Sequence, residues 1–234
     1  MQIVDIIIVL MIILGAVVGF KEGVIKKTTS FLGTFLVVIV AFKLKNPLSV
    51  LMYENLPFFK FGGFIKGIDV INILVYELIA FLIVAIALTF ILKVLLTITG
   101  LIEKLLKMTI FLSIPSKILG IFVGALEYFV YVFLILVFLN LPAFNIKIVK
   151  ESEYANKILN NTPVLSNLVG TTVETYTEVY NIMHERKDLS EVQINEQVLD
   201  LLLDKKVVTV DSADKLIKMN KIYIENTSIL DKYR

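Results

Sequence analysis

The stretch Gly15-Ala-Val-Val-Gly19-Phe20-Lys21-Glu22-Gly23 decides how the rest of the chain is read. Its glycines fall four residues apart, which on a helix stacks them along one face and lets a second backbone come close. Upstream, Ile3 to Phe20 is an apolar run of 18 residues interrupted only by Asp5 near its start. That length crosses a bilayer core with little tilt to spare. Downstream, Lys21, Lys26 and Lys27 break the apolar pattern before a second run begins. The spacing predicts a membrane hairpin: helix, tight basic turn, helix.

Composition agrees. Hydrophobic residues make up 57% of the chain and the mean hydropathy is +0.85, above the usual soluble range. The long apolar runs fall almost entirely in the first 145 positions, and charge rises from Lys147 onward. This asymmetry predicts a four-span membrane domain over 1–145 and a polar, mostly helical region over 146–234. A net charge of +2, carried nearly all by lysine with arginine only at 186 and 234, gives poor equipment for reading phosphates in pairs and argues against nucleic acid. With no cysteine there is no disulfide, thiolate metal site or cysteine nucleophile. The N-terminal run lacks a basic leading segment and continues into a second apolar run, so it reads as a retained span rather than a cleaved signal peptide.

The expected spans are about 3–20, 28–42, 70–99 and 118–141, giving an all-α polytopic protein. Asp5 sits at the edge of the first span, where a carboxylate reaches the interface or caps a helix. Residues 46–69, with Pro47, Pro57, Gly62, Gly63 and Gly67 as breakers, read as a linker whose aromatic side chains suit the headgroup level. Glu77 lies about two turns into the third run, and Lys93 near its far end can extend to the interface. Residues 101–113 place Glu103, Lys104 and Lys107 on one side, the pattern of an amphipathic helix lying on the membrane. The fourth span opens with Gly120-x-x-x-Gly124, a second close-packing face, followed by Glu127; Pro142 ends it. In the tail, Thr162-Pro163 starts one helix and Ser190-Glu-Val-Gln193 is a capping box. Val207 to Val210 reads as an extended link before a helix capped by Asp211-Ser-Ala-Asp214.

Little in this sequence carries chemistry. His184 is the only histidine and stands in a charged run; neither a zinc-protease helix motif, a nucleophile elbow nor a phosphate-binding loop is present. The expectation is therefore no catalytic residue, no cofactor and no metal. The helix-packing residues are Gly15, Gly19, Phe20, Gly23, Gly120 and Gly124. The intramembrane charges are Asp5, Glu77 and Glu127; if the two glutamates faced each other they could share a proton or bind a cation.

The Asp at the start of the first span followed by Gly15-x-x-x-Gly19-Phe20-x-x-Gly23 resembles the colicin V production protein (CvpA) family of bacterial inner-membrane proteins. Ile118-Leu119-Gly120-x-x-x-Gly124 is similar to that family's second motif, and together the resemblance covers about residues 1–141. Members often carry Arg-Gly where this chain has Glu127-Tyr128, so a role needing a positive charge there is not transferred. Asn161-Thr162-Pro163-Val164-Leu165-Ser166 looks similar to the longer C-terminal regions of some Gram-positive members. The resemblance implies a multi-spanning protein linked to colicin V production or export and to envelope homeostasis, with no catalytic residues to carry over. Relatives that fuse this module to an extracytoplasmic serine protease imply a tail outside the cytoplasm.

Charge counting leans the same way. Loops one and three hold Lys21, Lys26, Lys27, Lys104, Lys107 and Lys117, against Lys43, Lys45, Lys60 and Lys66 in the longer second loop. The positive-inside rule then puts both termini outside. A scaffold working through helix packing is the first expectation, and a small oligomeric channel or transporter using the carboxylates is the alternative. The partners to expect are the bilayer, envelope or secretion proteins and further copies of the chain.

Overall fold

The computed structural model describes residues 2–106, 113–141, 146–185 and 189–234, which are helical with no strand among them. Four helices are long and apolar enough to cross a membrane: α1 (Ile3–Glu22), α2 (Val24–Asn55), α3 (Ile71–Leu106) and α4 (Ser113–Leu139). They are followed by α5 (Lys147–Lys150), α6 (Glu153–Asn160), α7 (Pro163–Glu185), α8 (Glu191–Asp204) and α9 (Val210–Lys218). The chain divides into two compact units, residues 1–41 with 85–168, and residues 42–84 with 169–234. The tail is thus shared between both units.

The second helix differs from expectation. Lys43, Lys45 and Asn46-Pro47 read as its end, yet α2 continues to Asn55 with Pro47 inside it. Its buried positions explain why. Lys27, Thr34, Val38, Ala41, Lys45, Ser49 and Tyr53 repeat at helical spacing along one face, and Pro47 falls on the exposed side. Packing on the buried face outweighs the hydrogen bond that proline cannot donate. Of the expected amphipathic segment 101–113, residues 101–106 complete α3, Ser113 opens α4, and 107–112 lie outside the described residues; so does Pro142.

In the second unit, one core joins the end of α2 and the start of α3 (Tyr53, Ile73, Leu74) to α8 (Val198, Leu199, Leu202). Polar atoms fix the linker between α2 and α3. Asn195 Oδ1 accepts from the Val70 amide at 3.1 Å and its Nδ2 donates to the Gly67 carbonyl at 2.8 Å. Lys221 Nζ donates to the carbonyls of Tyr53, Glu54 and Leu56 at 2.9, 2.7 and 2.9 Å, satisfying the open end of α2. Burial there pulls the lysine below its ordinary pKa. Ser190 and Gln193 form the expected capping box. For α9 the cap is Thr209, whose hydroxyl accepts from the Ser212 amide at 3.2 Å, rather than Asp211.

At about 1.5 Å per residue, α2 and α3 are roughly 48 and 54 Å long, well beyond a hydrocarbon core of about 30 Å. The burial pattern of α3 changes along its length. Val70, Ile73, Leu74, Tyr76 and Ala80 are buried in the second unit, whereas Leu82, Ile83, Ile86 and Phe90 are exposed, the last two at 69% and 68%. Exposed apolar surface on α3 therefore starts after Ala80, beyond Glu77.

Candidate functional site

The first unit is built on the contact between α1 and α4. Gly15 and Gly19 lie against Gly124 and Gly120, backbone on backbone. A Cβ on Gly15 would stand 2.5 Å from the Gly124 carbonyl oxygen, and one on Gly19 would fall on the Gly120 carbonyl. Helices that share a lipid environment gain little from hiding apolar surface, so close backbone approach supplies the dispersion contacts that join them. Phe20 is not on this seam: it is 46% exposed, and Lys117 sits 5.8 Å from its ring centroid. Gly23 ends α1 with a φ of +79°, a conformation that favours glycine. Ser116 of α4 faces it and accepts the Val24 amide at 3.2 Å, a free donor at the start of α2.

Beside the seam stands a buried ion pair. Lys27 Nζ lies 2.5 Å from Glu127 Oε2 and 3.5 Å from Glu22, with the Lys27 and Glu127 side chains only 4% and 2% exposed. Glu127 Oε1 accepts from Ser30 at 2.7 Å, Tyr131 at 3.0 Å and Thr34 at 3.2 Å. The glutamate is therefore held by groups from α2 and from its own helix. Tyr128 packs at the Gly15 position, and its ring centroid is 5.6 Å from Lys27. Two charges withdrawn from water are costly unless paired and hydrogen-bonded, and this constellation meets both conditions. The spacing is visible in sequence: Lys27, Ser30 and Thr34 recur three and four residues apart, on one face of a helix.

The other carboxylates have partners of their own. Glu77 pairs with Lys45 within the second unit, where Thr172 is 3.4 Å from the same ammonium. Glu77 and Glu127 thus bind different lysines, Lys45 and Lys27. Asp5 Oδ2 accepts its own helix's Gln2 amide at 2.9 Å, while Oδ1 takes the Ser152 hydroxyl at 2.5 Å and the Tyr154 amide at 3.2 Å. It therefore caps two helices at once, α1 and α6. His184 stacks on Tyr180 at 3.9 Å. Among the described residues no cluster of three His, Cys, Asp or Glu is placed to hold a metal ion.

Residues 4–163 match the family described as Colicin V production protein. The chain belongs to that family. Neither a curated protein nor a solved structure matches it. As a CvpA family member it is a multi-pass membrane protein, and the matched stretch holds the seam, both buried ion pairs and the Asp5 caps. The match stops at Pro163, the first residue of α7, so α8 and α9 lie beyond it.

Proposed function

We propose that this CvpA family protein is a non-enzymatic scaffold of the bacterial cytoplasmic membrane, supporting colicin V-type toxin production or export and envelope homeostasis. One observation carries the reading. Each carboxylate available for transport is engaged by its own chain: Glu127 by Lys27 and three hydroxyls, Glu77 by Lys45, Asp5 by two helix starts. A buried charge paired in this way holds helices in register.

The two readings separate on one experiment. Breaking a buried pair is strongly destabilising, whereas replacing both members by apolar residues is often neutral. Glu127→Gln alone should cost about 3–5 kcal/mol and abolish toxin production in a strain lacking the native gene. Lys27→Met combined with Glu127→Leu should restore accumulation and production together. A double variant that accumulates normally yet stays inactive would show that the charges themselves work, as in a channel.

The proposal places both termini outside the cytoplasm. Residues 169–234 pack on the linker between α2 and α3, and Asp5 binds the segment after α4. By counting four crossings these segments share one face. Burial removes Lys27 from one side of the charge count and Lys45 from the other, so its lean is kept. In the cysteine-free chain, single cysteines at Ser190 and Ser228 should react with an impermeant maleimide on intact cells. Labelling at Thr28 instead would invert the orientation.

A further inference from the structure

α3 carries a charge that its own chain leaves unpaired. The sequence reads Lys93 as near the far end of a span closing at 99, but the helix runs on to Leu106. At about 1.5 Å per residue, Lys93 stands roughly 15 Å short of Glu103, the next charge. Its neighbour Leu92 fills the space left at Gly33, which lies roughly 14 Å from the start of α2 at Val24. Both helices therefore put Lys93 near the middle of a hydrocarbon core about 30 Å thick.

Ile86, Phe90, Lys93 and Thr97 recur four, three and four residues apart, so they share one face of α3. All four are exposed, Ile86 and Phe90 at 69% and 68%. In the most apolar stretch of α3 only 6% of residues are buried, against 33% for α4. The Thr97 hydroxyl is engaged by the Lys93 carbonyl, to which it donates at 2.8 Å. The Lys93 ammonium meets no carboxylate among the described residues.

Ionisable side chains at this depth are costly, and they face a protein interior or a water-filled cavity. Lys93 faces outward, so that interior has to come from another molecule. Lipid phosphate is too far: a lysine stem extends about 6 Å. Side chains on a helix also tilt toward its N-terminus, which carries this one away from the Glu103 end. A second copy is a poor match, because Asp5, Glu77 and Glu127 are each buried against partners in their own chain. Charge complementarity thus selects a span of a different protein.

We propose that the face bearing Ile86, Phe90, Lys93 and Thr97 docks a transmembrane helix of another membrane protein, and that an aspartate or glutamate midway along that helix pairs with Lys93. Alternating spacings of three and four make a seam between two helices, with Ile86 and Phe90 as its apolar contacts. The inference gives the scaffold a partner and rests on that reading.

Benzoylphenylalanine placed at Phe90, in cells that express the protein from its own locus, tests this by photo-crosslinking. The expected product joins the chain to a different membrane protein that has an aspartate or glutamate midway along one span. Its yield should fall roughly three-fold or more in Lys93→Leu, the weight of one polar contact between membrane helices. Lys93→Glu should abolish it, and exchanging the partner's carboxylate for lysine should then restore it. Lys93 is exposed, so both variants should accumulate at the parent level; Lys93→Leu, which only adds apolar surface to the span, decides the matter if Lys93→Glu does not insert. No product, or a product with lipid alone, with a second copy or with a span lacking a carboxylate, would overturn the proposal. So would a yield that Lys93→Leu leaves unchanged. Toxin production is not the readout, so these failures leave the scaffold reading to the Lys27 and Glu127 variants.

Discussion

Where α1 meets α4, the residues in contact are Gly15, Gly19, Gly120 and Gly124; in the second unit's core they are Tyr53, Leu74, Leu199 and Leu202. The first set is the smallest that the genetic code offers, the second among the largest. Lipid chains are as apolar as leucine, so burying leucine between spans gains little there, and closeness of backbones matters most. Outside the hydrocarbon, removal of large apolar side chains from water becomes the main driving force. One chain thus uses two packing rules, and a substitution harmless under one is ruinous under the other.

The sharpest way to break this contrast is to add bulk to the seam. Gly19→Leu would drive a side chain into the Gly120 carbonyl, a backbone group that cannot rotate away. The expected loss exceeds about 4 kcal/mol, and the variant should fail to accumulate in membranes. Normal accumulation would mean that the seam is not what joins α1 to α4. A smaller effect is expected from removing bulk elsewhere. Leu202→Ala empties a fully buried position and should cost about 2–5 kcal/mol. Limited proteolysis should then cut within 169–234 while residues 1–41 remain protected. Equal loosening of both regions would show that the two packing rules are not separable.

Much of the membrane architecture was legible because its signals are local. A run of apolar residues long enough to span, and glycines at a spacing of four, need no knowledge of partners. What was hidden depended on distant residues. Lys45 and Pro47 looked like the end of a span because nothing nearby reveals that Tyr53 is buried in a core with Leu199. Lys27 looked like a turn residue because its partner, Glu127, follows exactly 100 positions later only in number, and only folding brings them together. Asp5 was rightly read as a capping residue, but its second helix starts beyond Ser152. The Thr209 cap was missed for a local reason: Asp211 competes for the same role two positions on.

Lys221 reaches back 168 residues to the carbonyl of Tyr53. Chains are made from the N-terminus at about 5–20 residues per second, so α2 exists for roughly 10–30 seconds before its final cap has been synthesised. During that interval the carbonyls of Tyr53, Glu54 and Leu56 must be solvated by something else, and hydrocarbon cannot do it. The cap therefore imposes an order on biogenesis: the spans enter the bilayer first, the end of α2 waits in water, and the last helices close over it.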